Sequence, residues 1–384
     1  MRDIGIYIHI PFCMAKCNYC DFNSYSNMEY MEGPYVDALI KEMKQRFSKL
    51  GDQYNIKSIY IGGGTPTYLN YEDLKKLLIF LKDFYKDNIE CTCEANPGTL
   101  SYEKLLLLKE YGVNRLSIGL QSLDNNMLKY LGRIHSFEDF MENYKTAREL
   151  GFKNINVDLM SSIQGQAIDD FANGLKFICG LNPEHISCYG LIIEENTVFG
   201  RQYKSGKLQM IDEDTDYKMY KTAINILKDK GYTRYEISNY AKTGFESSHN
   251  IIYWKTKEYI GLGAGAHSYI DGLRFSNELS IKKYIEKIEK GSLPTCFEEK
   301  LSTKEKMAEF MFMGLRMMEG VELLDFKNRF EIDIMSVYGK QIEELIKKDL
   351  AVIYNNREKE GERLMLKLSD KGIDISNRIF VEFI

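Results

Sequence analysis

No excess of one charge marks this chain of 384 residues: 51 lysines and arginines stand against 56 aspartates and glutamates, a formal net charge of −5. Such a mildly acidic balance offers no global field for a polyanion, so nucleic acid is not expected as a partner, nor is an anionic membrane surface. No uncharged apolar run approaches the length of a membrane-crossing helix, and no integral membrane segment is expected. The opening stretch Met1 to Ile10 carries Arg2 and Asp3 and lacks both a long apolar region and a small-residue cleavage site, so it does not read as a secretory signal. A cytoplasmic setting is the expectation. Thiols stay reduced there, and the eight cysteines are then metal ligands or small packed side chains rather than disulfides.

The rest of the composition, 44% hydrophobic and 28% charged, is that of an ordinary globular protein. At about 150 residues per domain the length allows two or three folding units, or one barrel-sized domain with an appendage. Short β-like runs alternate with amphipathic helical stretches over the first 230 or so residues, which points to parallel βα units. Six strands are expected: Gly5 to Ile10, Ser58 to Ile61, Ile89 to Glu94, Arg115 to Gly119, Asn154 to Leu159 and His185 to Leu191. Helices are expected at Tyr35 to Leu50, Tyr71 to Tyr85, Ser101 to Tyr111, Phe137 to Leu150, Asp169 to Cys179 and Asp214 to Lys230. The fold class is therefore α/β, a partial (β/α)6 barrel over residues 1–231, with chemistry expected at the C-terminal ends of its strands. Residues 232–300 read as an irregular connecting region holding His249-Asn250-x-x-Tyr253-Trp254. Residues 301–384 read as a small winged-helix-like α+β domain, with helices at Lys304 to Met318, Asp325 to Phe330 and Met335 to Lys348. A hairpin of Ala351 to Tyr354 and Leu364 to Leu368 follows, around the charged turn Asn355 to Arg363. This domain holds 14 basic and 16 acidic residues, which suits a docking or covering element better than a DNA-reading wing.

Cysteine spacing carries the chemistry. Cys13, Cys17 and Cys20 fall within eight residues on a loop leaving the first strand, while Cys91, Cys93, Cys179, Cys188 and Cys296 are scattered and read as structural. A four-iron cluster takes four ligands, so three thiolates in one tight loop leave one iron open to an outside ligand. Two other readings stay open on the residues alone: a zinc site completed by His9, and a thioredoxin-like Cys17-x-x-Cys20 pair. Zinc usually brings a second ligand pair farther along, which is missing here, and a redox pair leaves Cys13 unexplained. Gly62-Gly63-Gly64-Thr65-Pro66 after the second strand lets the backbone approach a ligand. With no Gly-Lys-Ser/Thr behind it, this is not a phosphate loop. Taken alone it is equally a strand-to-helix turn.

Cys13-x3-Cys17-x2-Cys20, with Tyr19 before the last cysteine, resembles the radical S-adenosylmethionine (SAM) superfamily. Tyr7 to Cys13, Glu94 to Thr99, Gly119 to Ser122, Leu131 to His135 and Val157 to Leu159 narrow the resemblance to its coproporphyrinogen dehydrogenase-like branch. The resemblance implies a [4Fe-4S] cluster on Cys13, Cys17 and Cys20, and SAM bound by Tyr7, Tyr19, Gly63, Gly64, Thr65, Glu94, Gln121, Arg133 and Asp158. Carboxylates would accept from ribose hydroxyls or the ammonium, and the guanidinium would meet the methionyl carboxylate. Without the family, a buried Glu94 or Arg133 is more often a member of a structural ion pair.

Within the branch, the oxygen-independent coproporphyrinogen III oxidase has a further cysteine two residues after the third and a long segment before the cluster. Here that position is Phe22, and 12 residues precede Cys13. Cys20-Asp21-Phe22 and His249-Asn250-x-x-Tyr253-Trp254 resemble instead the HemW-type heme chaperones, which implies heme as ligand, an acceptor protein and an electron donor to the cluster as partners. The oxidase is the alternative function, and a different radical substrate a third. Two departures stand out: Ser161 to Gln166 where the family commonly has Tyr-Gly-Leu-Pro-Gly-Gln, which alters the rim beside the SAM pocket, and Ala264 in place of a usual proline. His249 is the heme-ligand candidate, flanked by Tyr253 and Trp254; the bland alternative has His249 and Asn250 bonding loop backbone and Trp254 packing between domains. His9 and His267 rank behind it. No Cys-x-x-Cys-His occurs, so covalent attachment of the cytochrome c kind has no support.

Overall fold

The computed structural model describes residues 1–84, 89–356 and 363–384. Tyr85, the expected end of the second helix, and residues 357–362 of the charged turn lie outside the described residues.

Six strands follow one another across the sheet as parallel neighbours: β1 (Arg2–Ile10), β2 (Tyr54–Gly63), β3 (Glu90–Ala95), β4 (Arg115–Gln121), β5 (Ile155–Ser161) and β6 (His185–Gly190). They match the expected strands, running a few residues longer at β1 and β2. Their period of two sorts side chains onto two faces. Ile4, Ile6, Ile8 and Ile10, then Ile59 and Ile61, Cys91 and Cys93, Leu116 and Ile118, and Val157 and Ile186 share one buried apolar cluster with the covering helices. Fully burying one such aliphatic side chain stabilises by roughly 1.5–3 kcal/mol. The alternate positions, among them Tyr7, Tyr60, Glu94, Ser117, Asp158 and Tyr189, are polar or aromatic and line the interior cavities.

The helices between strands start where side chains can satisfy their free N–H groups. Ser136 accepts from Asp139 N while Asp139 Oδ2 accepts from Ser136 N, a reciprocal cap for helix Phe137–Glu149. Tyr71–Lys82, Tyr102–Glu110, Ile168–Gly180 and Glu213–Asp229 cover the same outer face.

Segment 232–300, read from the sequence as irregular, feeds both edges of this sheet. β7 (Thr233–Arg234) and β8 (Asn239–Ala241) extend it beyond β6. β9 (Glu258–Leu262) runs parallel to β1, from Ile4↔Glu258 to Ile8↔Leu262. β10 (His267–Ile270), β11 (Leu273–Asn277) and β12 (Thr295–Lys300) continue antiparallel outward, so that the described residues hold a twelve-stranded sheet. Strands of two to six residues separated by glycine turns are too short for periodicity to register.

The C-terminal domain has its own three-stranded antiparallel sheet, in the order β13 (Val321–Glu322), β15 (Arg363–Leu368), β14 (Ala351–Asn356). Helices Thr303–Gly314, Leu323–Phe330 and Ile334–Lys347 pack on it around Phe310, Phe326, Tyr338 and Leu366, the winged-helix-like arrangement expected. The barrel is joined to it by Met318 N donating to Tyr235 O at 3.0 Å and by the Arg316 guanidinium 4.6 Å from the Trp254 ring centre. No helix among the described residues is long and apolar enough to cross a membrane.

Candidate functional site

The loop leaving β1 is held by its backbone. Cys13 N donates to Tyr25 O at 3.0 Å, Tyr25 N to Pro11 O at 2.8 Å, and Asn18 N to Leu131 O at 2.9 Å. Lys16 Nζ donates to Phe22 O at 2.9 Å and so draws the loop closed. This puts Cys13, Cys17 and Cys20 along one cavity of about 320 Å³ at the C-terminal ends of the strands. All three are free thiols; burial raises the pKa of Cys13 and of Cys20 above the ordinary value. Thr65 Oγ1 lies 3.6 Å from Cys13 Sγ and accepts from Asn96 Nδ2 at 2.7 Å.

The glycine turn after β2 has no room for side chains. A Cβ on Gly64 would meet Phe12 O at 2.7 Å and Cys13 Sγ at 2.9 Å. Gly63, at φ +115°, would drive one into the His9 ring at 2.5 Å, and its N–H donates to Glu94 Oε2 at 2.9 Å.

Glu94 also accepts from Tyr60 OH at 2.7 Å, and burial pushes its carboxyl up to about 7 despite these bonds. Asp158 accepts from Asn156 Nδ2 at 2.7 Å and from Ser117 Oγ at 3.4 Å; burial raises its pKa too. Gln121 sits in a β-bulge of β4 at φ +71°, and its Oε1 accepts from Tyr189 OH at 3.0 Å. Arg133 donates to Cys17 Sγ at 3.5 Å, to Asn96 Oδ1 at 2.9 Å and to Gly119 O. Among the described residues neither Arg133 nor Glu94 forms an ion pair; Arg133 is held by Asn96 and Gly119 and reaches the Cys17 thiol.

Of the residues singled out from the sequence, Cys13, Cys17, Cys20, Tyr19, Gly63, Gly64, Glu94, Gln121, Arg133 and Asp158 line this one cavity, with Thr65 against it. Tyr7 stands apart. It lines a second, larger cavity of about 650 Å³ on the β9 side, together with Tyr253, Tyr259 and His267. His249 lines neither. Helix Ser248–Trp254 is capped by Ser247, and the Glu90 carboxylate accepts from Ser248 N at 2.9 Å and His249 N at 3.2 Å, which seats His249 against β1 and β2. Its ring is 1% exposed, hydrogen-bonded through Nδ1 to Ser58 Oγ (2.8 Å) and through Nε2 to Tyr253 OH (2.9 Å), and stacked on Tyr60 at 5.0 Å. Burial pushes its pKa down to about 3. These partners are side chains rather than the loop backbone expected; Trp254 does pack at the junction with the C-terminal domain. His9 is similarly occupied, by Tyr7 OH (2.9 Å) and Asn23 O (2.8 Å), so neither ring nitrogen is free to complete a metal site with the cysteines.

Sequence reasoning missed Arg115, Ser117, Asn156, Ser187, Tyr189 and Asn250 as cavity residues. A signal was available in the strands. Parallel strands buried on both faces read as near-continuous apolar runs; polar residues at every second position, 115, 117 and 121, then 156 and 158, then 187 and 189, mark a polar interior instead. Buried Arg115 Nε, Arg133 Nε and Asn239 Oδ1 find no hydrogen-bond partner among the described residues, as expected of walls built for a polar ligand. The donor set suits an iron–sulfur cluster and a zwitterionic, hydroxyl-bearing ligand beside it.

Comparison with known proteins agrees with this geometry. Residues 7–178 match the sequence profile of the Radical SAM superfamily, and residues 301–359 that of the HemN C-terminal domain. The chain is 38% identical over 381 residues to the heme chaperone HemW of Bacillus subtilis, covering 98% of both proteins. It is 36% identical to the heme chaperone HemW of Lactococcus lactis, covering 98% of this chain and 96% of that one. The solved structure of coproporphyrinogen III oxidase (HemN) from Escherichia coli, a radical SAM enzyme, superposes with a TM-score of 0.84 over 100% of this chain and 90% of that one, at 21% identity. At that identity the likeness is one of fold.

Proposed function

The chain belongs to the HemW heme chaperone family of the radical SAM superfamily, and from that premise we propose that it binds heme, one [4Fe-4S] cluster and SAM and passes heme to an acceptor protein. Cys13, Cys17 and Cys20 would hold the cluster. The observation carrying the reading is that these three thiols, from one loop, open onto the same polar cavity as Glu94, Gln121, Arg133 and Asp158. When bound, a three-cysteine cluster supplies an open iron that an amino acid chelates and an electron that can cleave a sulfonium. The protein's own part is to bind and orient. Arg133, fixed by Asn96 and Gly119, presents a guanidinium to the SAM carboxylate; Glu94 and Asp158 accept from ribose hydroxyls or the ammonium; Tyr19 and Gln121 complete the wall. Gly63 and Gly64 keep the backbone close.

We assign residues 1–231 to the cluster and SAM and 232–300 to closing the barrel on both edges. Residues 301–384 serve as a docking or covering domain. An electron donor to the cluster and a heme acceptor would then be its protein partners.

A turnover assay separates this reading from the oxidase alternative. Anaerobically reconstituted protein is given coproporphyrinogen III, SAM and a strong reductant, and porphyrins and 5'-deoxyadenosine are read by mass spectrometry. An intact cluster without decarboxylated product is expected. Loss of two carboxyl groups with matching 5'-deoxyadenosine would establish the oxidase instead.

A further inference from the structure

The chain has five histidines. Four are buried and hydrogen-bonded: His9 and His249 as described, His185 to Asn156 Oδ1 (2.6 Å) and Tyr235 OH (2.9 Å), and His135 to Leu120 O (3.3 Å). His267 differs from all of them. It opens β10, is exposed, and its imidazole has no hydrogen-bond partner among the described residues.

Its imidazole lines the second cavity, whose volume of about 650 Å³ is twice that of the first and well within the range of sites for sizeable organic ligands. The walls are suited to a flat apolar ring. Tyr253 and Tyr259 meet edge to face at 4.6 Å, and Phe22, 65% exposed, lines the same cavity. Among the described residues Lys16 is the one lysine or arginine lining the cavity, beside the carboxyl groups of Asp21 and Glu94; its ammonium donates to Phe22 O and Ser24 O and keeps a third N–H for a ligand carboxylate. Partial burial lowers the pKa of His267, which keeps the ring neutral and able to coordinate at neutral pH.

We propose that this second cavity is the heme site, with His267 as the axial iron ligand and Phe22, Tyr253 and Tyr259 against the porphyrin. The inference rests on the heme-carrier reading and assigns the ligand away from His249, which would first have to leave Ser58 and Tyr253. It also accounts for Phe22. Phe22, Lys16 and Ser24 line both cavities, and Asn23 Nδ2 ties the same segment to Ala264 O and Leu279 O at 3.1 Å each, so the tail of the cysteine loop is a wall of the porphyrin site.

The test is titration of the full-length, cluster-loaded protein with ferric hemin, read by Soret absorbance and, after reduction, by the iron–histidine stretch in resonance Raman. His267→Ala is expected to weaken binding by about tenfold or more and to lose the iron–histidine signature, with added free imidazole restoring it. Because His267 is exposed, retained cluster absorbance should confirm that the variant folds. Phe22→Ala is expected to weaken binding several-fold with the signature intact. His267→Ala protein that binds like wild type, with an unchanged signature, would overturn the assignment while leaving heme carriage standing. Wild-type protein that fails to bind hemin would instead overturn the heme reading itself.

Discussion

Two cavities lie side by side and are built on opposite plans. In the first, nearly every polar side chain is held by another: Glu94 by Tyr60 and Gly63, Asp158 by Asn156 and Ser117, Gln121 by Tyr189, Arg133 by Asn96 and Gly119. It sits where parallel strands end, the location that barrel architecture supplies to ligands. The second gathers the rings of Tyr7, Phe22, Tyr25, Tyr253 and Tyr259 among polar neighbours such as Asp21 and Glu94, and its His267 imidazole has no hydrogen-bond partner among the described residues. Preorganised polar walls suit a cofactor that stays in a fixed pose, since fixed donors lose little on binding. Aromatic walls with a single ligand suit cargo that enters and leaves. The two histidines express the same contrast: His249 is a buried strut against Tyr60, and His267 is an exposed imidazole on the short strand β10.

The sharpest way to break the comparison is Cys17→Ala. Removing one thiol of the three is expected to abolish cluster absorbance and bound iron, while hemin affinity changes by less than about tenfold because Cys17 lines the first cavity and not the second. Should the variant keep a full complement of cluster iron, the ligand set is wrong.

Next in size is stability. His249→Ala removes two buried hydrogen bonds and a stacked ring, an expected loss of about 2–4 kcal/mol in chemical denaturation, against under about 0.5 kcal/mol for His267→Ala. The pH dependence has a definite sign. His249 titrates near 6.5 when unfolded and at about 3 when folded, so the unfolded state binds the extra proton between these values and stability falls on acidification through that window. The slope from this group approaches about 1.4 kcal/mol per pH unit and should vanish in His249→Gln.

Glu94 should act in the opposite direction and more weakly. Its folded value of about 7 exceeds the 4.5 of the free side chain, so the folded state holds the proton longer and stability from this group declines as pH rises from 4.5 towards 7. Glu94→Gln is expected to flatten that decline in denaturation curves taken across the window. A wild-type curve unchanged by either substitution would mean that both side chains are more hydrated than the interior packing indicates.

The sequence by itself determined the six parallel strands, the helices between them and the cysteine loop. Their signals are local: alternating Ile4, Ile6, Ile8 and Ile10, amphipathic helical stretches such as Phe137–Glu149, and three thiols within eight residues. Membership of the polar cavity was largely legible for the same reason, since strand-end residues converge once the strands are parallel neighbours in chain order. Tyr7 is the exception: β1 turns it toward the second cavity, because a strand position sets the face and not which of two neighbouring cavities is met.

Only the tertiary structure decided what residues 232–300 do. β9 pairs with β1 across more than two hundred residues of chain, and no local pattern announces a partner so distant. The roles of the two histidines followed from that pairing. His249 belongs to the more distinctive motif, yet Ser58, Tyr60 and Tyr253 close around it. His267 follows a glycine-rich turn with little to mark it, yet its imidazole emerges unbonded beside aromatic side chains from separate segments. Whether an imidazole is a strut or a ligand depends on which of its nitrogens are already bonded, and those bonds come from residues brought together only by the fold.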